Sequence, residues 1–409
     1  MSGELTQGPP RPAPALVGIA RVAAFAVFPI LVAVVFLRWQ HSLGVLGFDF
    51  RGTLWDPGEA ILAGRSPYPA ADPAAIATGN PAVYPPAVML ATAPLTLLPW
   101  GVGLAVWTAL SLAAAAGALW LLDVRDWRVY GIALATEPLL YGVTYGNVTM
   151  LLLLGLAAAW RYRDRAWPAA LVVAGLIVMK LFLWPLVVWL VVTRRFKAAI
   201  LSVAIAVAAG LASWAAIGFD GLTAYPDLLR ALDDVYSAKT QSVTALGLSL
   251  GLGDTAAKAT AVVIGLGVLG LGIALARRAG GDRRMFTAAL VAAIVVTPVA
   301  WIYYYALLLV PIALASRAFS AVWLLPLAFW IVPFLPGTAN EEPPCCAPAG
   351  MPEVVWRSLT TDPSSVLLAG HAVLLAAVAW VTLRARSESD LAPRLALDLA
   401  LGLARERAL

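Results

Sequence analysis

The sequence predicts an all-α fold, a polytopic transmembrane helical bundle with about 10–13 hydrophobic helices, some of them short and paired in broken hairpins. Of its 409 residues, 61% are hydrophobic and only 12% are charged, whereas soluble globular domains carry roughly 25% charged residues. The mean hydropathy is +0.85. Water-soluble classes are therefore excluded, and so are disordered classes, which need low hydrophobicity. The apolar residues would suffice for about twelve spans of ~20 residues each.

Apolar segments recur along the whole chain. They lie at about 17–37, 87–98, 101–122, 129–143, 147–160, 167–179, 182–193, 198–217, 259–276, 285–297, 303–315, 319–335 and 366–383. The first follows a Pro-rich tail that lacks a small-residue cleavage site, so we interpret it as an anchor and not as a removed signal peptide. We expect a tail at 1–16, a single integral-membrane domain at 17–383 and a second tail at 384–409.

Charge predicts the orientation of these segments. The short connections and the start of the chain hold 17 of the 28 basic residues, whereas the long connections 38–86, 218–258 and 336–365 hold seven basic residues and 13 of the 23 acids. Because basic residues are enriched in cytoplasmic loops, both termini and the short loops are predicted to be cytoplasmic. The three long loops are then exterior.

Three pairs of short apolar segments have basic residues at both ends. They are 129–143 with 147–160, 167–179 with 182–193, and 285–297 with 303–315. Segments this short barely cross a hydrocarbon core of ~30 Å. Non-helical backbone at membrane depth is tolerated only where it is buried in protein or lines a wet cavity. The three breaks therefore predict an exterior-facing cavity beside loop 38–86.

Two charged residues lie inside apolar segments. Lys180 is surrounded by apolar residues in AGLIVMKLFLWPL, and Glu137 lies in LATEPLLYG. A charge at membrane depth is costly unless it is paired, and it commonly marks a functional site. Lys180 is predicted to contact a phosphate, and its structural alternatives are snorkelling or an ion pair with Glu137. Glu137 is equally a candidate for that ion pair or for a substrate contact.

Three of the four acids in loop 38–86 have different expected roles. Residues 56–63 are predicted to form a short amphipathic helix at the membrane interface, opened by Asp56 as N-cap with Pro57 in the first turn. Asp56 and Glu59 then have structural roles. Asp49 has no such structural role. A carboxylate beside a cavity can act as a general base if it reaches a hydroxyl group, so Asp49 is a candidate general base.

The cluster of Trp301, Tyr303, Tyr304 and Tyr305 has two interpretations. Aromatic rings concentrate at membrane interfaces, and an aromatic belt is the favoured interpretation from the residues alone. The alternative is that the rings stack on a sugar.

Several classes of site have no support. Basic residues are confined to short loops, so nucleic acid is not an expected partner. No P-loop, Rossmann fingerprint, G-x-S-x-G or H-E-x-x-H motif occurs. Asp49 lacks an adjacent second acid, and Cys345 with Cys346 cannot complete a tetrahedral zinc site. No cofactor is firmly implied, a divalent metal stays open, and the adjacent cysteines receive no function.

An ordered set of short motifs resembles a known family. In sequence order they are Asp49 with AILAGRSPY at 60–68, Tyr84-Pro85-Pro86, Gly146-Asn147-Val148-Thr149, Lys180 with Pro185 and RRFKA, and Thr297-Pro298-Val299-Ala300-Trp301. On these motifs, from about Asp49 to Pro311, the chain resembles the membrane-embedded glycosyltransferases of family 87, polyprenol-phosphate-mannose-dependent mannosyltransferases with the GT-C fold.

The resemblance implies a reaction and roles for its residues. Asp49 would deprotonate the acceptor hydroxyl, and Lys180 would offset the phosphate charge of a polyprenyl-phosphate sugar donor. The candidate substrate-binding residues are Lys180, Asn147, Tyr84, Tyr68, Arg51, Glu137, Trp301, Tyr303 and Tyr304. In-line displacement would invert the anomeric centre and give an α-glycoside from a β-linked donor. A glycolipid or glycan acceptor and a bacterial cytoplasmic membrane are implied as well.

The chain departs from the family pattern at two motifs. Family members commonly carry Gly-Gln-x-Asn where this chain has Gly146 to Thr149, and Asp-His-His where it has Ile302, Tyr303 and Tyr304. Tyrosine does not titrate near neutral pH. Because the acid and the histidine of the family pattern are absent here, the transferred sugar is predicted only as mannose, another hexose or a pentose. A secondary transporter or lipid-linked oligosaccharide flippase is the main alternative because broken helices also occur in transporters, and a non-catalytic glycolipid-binding relative is another.

Overall fold

A computed structural model describes residues 14–77, 80–338 and 362–385. Within these ranges the chain forms helices and no strand, which confirms the all-α prediction. Most of loop 336–365 and most of both predicted tails lie outside the described residues. Cys345 and Cys346 lie outside them as well.

The helices are numbered here in chain order. They are α1 Ala15–Ser42, α2 48–62, α3 Pro73–Ala77, α4 Pro86–Leu97, α5 Trp100–Leu121, α6 Trp127–Leu134, α7 Glu137–Tyr145, α8 Thr149–Arg161 and α9 Ala166–Met179. They continue with α10 Leu181–Val192, α11 Phe196–Ala216, α12 Tyr225–Tyr236, α13 Val243–Ser249, α14 Asp254–Ala276, α15 Gly281–Val296, α16 Ile302–Ala315, α17 Ala321–Trp330 and α18 Ser365–Arg384.

Five of these helices are long and apolar enough to cross a membrane: α1, α5, α11, α14 and α18. A sixth span is obtained if α7 and α8, which meet at 119°, count as one broken span. The chain is thus a multi-pass membrane protein. Within the described ranges, the apolar residues that would suffice for about twelve full spans are divided between these spans and the shorter helices α4, α9, α10, α16 and α17.

All three predicted hairpin breaks are present. The helix interrupts at Gly146, which has a left-handed φ of +72°, at Lys180, whose backbone is extended, and again between Val296 and Ile302. The first predicted hairpin has an additional break, because α6 ends at Leu134 and α7 starts at Glu137. Short helices joined by extended backbone therefore replace full spans at these places.

The N-cap predicted at Asp56 is wrong. The helix begins earlier, at Phe48, and passes through a π-helical segment Arg51–Trp55 before it reaches Asp56. The Asp56 N–H already bonds to the Arg51 carbonyl, so Asp56 lies within the helix and not at its start, where the free N–H groups are. Glu59 instead accepts a hydrogen bond of 3.0 Å from the Trp55 indole. With Leu54 and Trp55 buried, α2 packs into the bundle.

The short basic loops lie together, as charge predicted. The contacts that join them are Arg161 with Asp123 (3.8 Å), Arg195 with Asp164 (2.6 Å) and Asp282 (2.8 Å), the Phe319 N–H with Asp126 (2.9 Å), and Arg283 with the Thr382 carbonyl (2.9 Å). Ion pairs and hydrogen bonds thus connect these loops at one end of the bundle. That this end is cytoplasmic stays a prediction.

Asp282 is the centre of this end of the bundle. Its carboxylate accepts hydrogen bonds from the Trp189 indole (2.7 Å), from Arg163 (3.0 Å) and from both terminal nitrogens of Arg195 (2.9 and 2.8 Å). Replacing Asp282 by Ala is expected to lower the free energy of unfolding by about 2 to 3 kcal/mol, because two guanidinium groups lose their shared partner. Thermal unfolding of the detergent-solubilised protein measures this loss.

The matched control is Asp164→Ala, whose side chain is 70% exposed and pairs with the same Arg195. An exposed ion pair contributes about 1 kcal/mol or less. Equal loss of stability in both variants would contradict the central role of Asp282.

Candidate functional site

A cavity of about 380 Å³ lies where the three helix breaks meet. Loop 38–86 lines it with Asp49 and Tyr84, and the region 218–258 lines it with α12. The predicted convergence of the breaks beside loop 38–86 is therefore confirmed. The exterior orientation of the cavity stays a prediction.

Six of the ten predicted site residues line this cavity, and they come from four separate parts of the chain. They are Asp49, Tyr84, Lys180, Trp301, Tyr303 and Tyr304. Tyr303 and Tyr304 are 6% and 4% exposed, so they do not form a lipid-facing belt. The structure thus favours the alternative interpretation of these two rings, as part of a cavity wall.

Two more predicted residues support the cavity from behind. Asn147 donates a long hydrogen bond of 3.4 Å to Asp49 Oδ2. The Tyr68 hydroxyl donates to the Tyr84 carbonyl at 2.9 Å, and its ring stacks on Trp214 with centroids 5.2 Å apart. Neither residue is part of the cavity lining.

Arg51 and Glu137 are outside the cavity lining. Arg51 is exposed, lies over the Trp100 ring and pairs with Asp56 at 3.7 Å. Glu137 is buried at the start of α7, and its Oε2 has no hydrogen-bond partner among the described residues. The ion pair suggested between Glu137 and Lys180 is not formed, since Glu137 lies near Tyr141 whereas Lys180 lies against the rings of Tyr84 and Tyr304.

Asp49 follows the first span and lies on the first turn of α2. Gly47 adopts a φ of +74°, and its N–H donates to the Thr144 carbonyl at 2.7 Å, which holds α2 against α7. Asp49 Oδ1 accepts from the Asn80 amide at 3.2 Å, and Tyr303 is a further hydrogen-bond partner of the carboxyl group. Burial raises the pKa of Asp49 to about 6, although these hydrogen bonds and the Lys180 charge oppose the shift.

Lys180 occupies the break between α9 and α10. Its Nζ lies 4.1 Å from the centroid of the Tyr84 ring and 5.5 Å from that of Tyr304. Among the described residues, no carboxylate lies within 4 Å of this ammonium group, although ion pairs are present elsewhere in the bundle. Lys180 is therefore a cation that is held by aromatic faces and directed at the cavity.

The rest of the wall is mainly aromatic and apolar. It includes Phe48, Tyr145, Phe182, Tyr225 and Tyr236. Aromatic faces suit the apolar C–H face of a sugar, while hydroxyl and amide groups can bind its oxygens. The cavity can therefore accommodate a sugar between an acid and a cation.

Asp233 is a second acid in the cavity wall, and sequence reasoning did not select it. It pairs with Lys258 at 2.5 Å. Within the described ranges there is no group of three or more His, Cys, Asp or Glu side chains that could hold a metal ion. Asn80 was also missed, because an asparagine in a long loop carries no motif that would connect it to Asp49.

Comparison with known proteins places the chain in a family. The profile of glycosyltransferase family 87 matches residues 82–302, which include Tyr84, Lys180 and Trp301 but not Asp49. The chain is 28% identical over 269 residues to the polyprenol-phosphate-mannose-dependent alpha-(1-2)-phosphatidylinositol pentamannoside mannosyltransferase of Mycolicibacterium smegmatis. This match covers 62% of the chain and 61% of the relative.

No solved structure matches the chain. The family profile spans more than half of the sequence, and its range contains all three helix breaks. The resemblance found in the short motifs is thereby confirmed, and the chain belongs to glycosyltransferase family 87.

Proposed function

We propose that this protein transfers a hexose, with mannose as the first candidate, from a polyprenyl-phosphate donor to a lipid- or glycan-linked acceptor. The observation that carries the proposal is that Asp49 and Lys180 line the same aromatic cavity, where Lys180 is a cation without a carboxylate partner among the described residues. Family membership and the name of the mycobacterial relative support the donor class. The lipid- or glycan-linked acceptor is proposed on the basis of the same relative, whose name includes a phosphatidylinositol pentamannoside.

In the proposed reaction the acceptor hydroxyl attacks the anomeric carbon of the donor. Asp49 accepts the hydroxyl proton, a C–O bond forms to the acceptor oxygen, and the bond between the anomeric carbon and the phosphate oxygen breaks. Polyprenyl phosphate leaves with the electron pair of that bond. Lys180 offsets the negative charge that develops on the leaving phosphate, where electrostatic stabilisation has the largest effect. Attack opposite the leaving group inverts the anomeric centre.

The cavity also suits a donor with a lipid tail. Leu181 lines the cavity beside Lys180 and is 54% exposed. Trp184, one turn further along, is 46% exposed. A phosphate at Lys180 would therefore leave its polyprenyl chain next to an apolar surface, which faces lipid in a membrane protein.

The proposed location is the exterior face of a bacterial cytoplasmic membrane, with both termini cytoplasmic. The excess of basic residues in the short loops supports this orientation. The contacts that gather those loops at one end of the bundle support it as well, since the cavity is built from the long, acid-containing connections.

The test is sugar transfer by the purified protein in lipid nanodiscs. β-linked polyprenyl-phosphate mannose, glucose and arabinose are supplied separately, with phosphatidylinositol mannosides as acceptors, in the presence and absence of EDTA. An α-linked product from one donor is the expected result. Transport of the lipid-linked sugar across proteoliposomes without any transfer would contradict the proposal, as would donor binding without turnover of any sugar.

A further inference from the structure

Asn80 is connected to the Asp49 turn by two hydrogen bonds from one amide group. Its Nδ2 donates to Asp49 Oδ1 at 3.2 Å and to the Phe48 carbonyl at 3.0 Å. The two acceptors are neighbours in the chain, so this amide binds both the carboxylate and the backbone that carries it. A side chain that only filled space in the cavity wall would not need this geometry.

Gly52 allows Asn80 to approach α2 this closely. A Cβ at position 52 would lie 2.5 Å from the Asn80 carbonyl oxygen and 2.8 Å from the Asn80 Cβ. Real Cβ atoms do not approach other atoms at such distances, so any larger residue at position 52 would displace Asn80. Close contact between α2 and the loop that carries Asn80 therefore depends on a residue in each segment, Gly52 in α2 and Asn80 in the loop.

The opposite side of the carboxylate is held by the corner between α7 and α8. Asn147 Nδ2 lies 3.4 Å from Asp49 Oδ2, and its Oδ1 accepts from the Thr149 N–H at 2.9 Å, which orients the amide. The corner itself is held by the Trp107 indole, which donates to the Gly146 carbonyl at 2.6 Å. Tyr303 is the third partner of the carboxylate.

We infer that Asn80 is a positioning residue, which together with Asn147 and Tyr303 holds the Asp49 carboxylate in its ionised form with one lone pair directed at the cavity. A carboxylate offers about four lone-pair sites. Asn80 donates to one oxygen and Asn147 to the other, and the remaining lone-pair sites are available to the Tyr303 hydroxyl and to the acceptor hydroxyl. The inference rests on the proposed function for its catalytic meaning, but the state of Asp49 can be measured without any sugar.

Other groups also face Asp49 and influence its charge. Lys180 stabilises the ionised form through its positive charge. The tyrosines near Asp49 are Tyr84, Tyr145, Tyr236 and Tyr303. The substitutions of Asn80 and Gly52 below leave these groups unchanged and alter the contact between Asn80 and Asp49.

The experiment is an infrared pH titration of the full-length protein in detergent without substrate. The band of the protonated Asp49 carboxyl is identified by its loss in Asp49→Asn. In the wild type we expect half-protonation at about pH 6. Asn80→Ala removes one donor to the charged form and is expected to raise the midpoint by about one pH unit. Asn80→Asp, which keeps the size but adds a like charge, is expected to raise it further.

Two further variants test the geometry. Gly52→Ala is expected to shift the midpoint in the same direction as Asn80→Ala, because the added Cβ displaces Asn80. Ser66→Ala, at an exposed position of the same loop, is the control and is expected to leave the midpoint unchanged. An unchanged midpoint in folded Asn80→Ala and Asn80→Asp protein would overturn the inference.

The pH profile of transfer separates this inference from the proposed function. A general base works when it is ionised, so wild-type transfer falls as the pH decreases through about 6. In Asn80→Ala this acidic limb moves upward with the infrared midpoint, whereas a merely structural role lowers the rate equally at every pH. If the infrared midpoint moves but transfer survives in Asp49→Asn, the positioning inference stands and the assignment of the base fails.

Discussion

Replacing Asp49 by Asn is expected to reduce the rate of sugar transfer by a factor of about 100 to 10,000, which is the usual contribution of a positioned general base. Asparagine has nearly the same shape but accepts no proton from the acceptor hydroxyl. The loss should appear mainly in kcat, because the aromatic wall and Lys180, which would bind the donor, are unaffected. Steady-state transfer from a polyprenyl-phosphate donor measures it.

The same helix provides a matched control for this experiment. Asp56 lies seven residues further along α2, is exposed and pairs only with the exposed Arg51 among the described residues. Asp56→Asn has the same chemical change and is expected to retain wild-type transfer. Full transfer in folded Asp49→Asn protein would refute Asp49 as the base, and equal loss in both variants would indicate general damage to α2.

Replacing Lys180 by Met is expected to abolish most transfer without destabilising the protein. Removal of a group that stabilises developing charge commonly costs a factor of about 100 to 1,000 in rate. Stability should be equal or higher, because an ammonium group without a carboxylate partner is exchanged for an apolar chain of similar length between Tyr84 and Tyr304. If Lys180 formed a structural ion pair, Lys180→Met would instead lower the stability, because the partner carboxylate would be left without its cation.

Transfer kinetics and thermal unfolding of the same Lys180→Met sample distinguish the two roles. Lys180→Arg keeps the charge and should retain part of the activity, although its planar group fits the aromatic site differently. Lys197→Met, at an exposed position near the start of α11, is the control for removal of a lysine from this membrane domain. Lost stability together with unchanged transfer in Lys180→Met would contradict a phosphate contact.

Much of the fold was predictable because hydropathy and helix breaks are local properties. The segment boundaries agree with the helices within a few residues, as in 101–122 against Trp100–Leu121. The interruptions at Gly146 and Lys180 were visible as polar residues or glycine between apolar runs. The number of full spans was not predictable from composition, since a residue is equally apolar in a long span and in a short broken helix.

The candidate site was predictable only in part. Asp49 and Lys180 stood out because a charge beside or within an apolar run needs a physical reason. The contact of Asn80 with Asp49 spans 31 positions and depends on the absence of a side chain at Gly52. Glu137 and Arg51 were selected as charged residues near the site in sequence, but in space both lie outside the cavity lining.

Hydropathy, charge bias and ordered motifs in the sequence were sufficient to predict a multi-pass helical protein of family 87, and they selected Asp49 and Lys180 as candidate site residues. These properties depend on residue type and on neighbours along the chain. The tertiary structure was needed to bring three breaks and a long loop onto one cavity, to leave Lys180 without a carboxylate partner among the described residues and to surround Asp49 with amide and hydroxyl donors. Such contacts depend on the angles between helices and on close approach at glycine, which residue types alone do not specify.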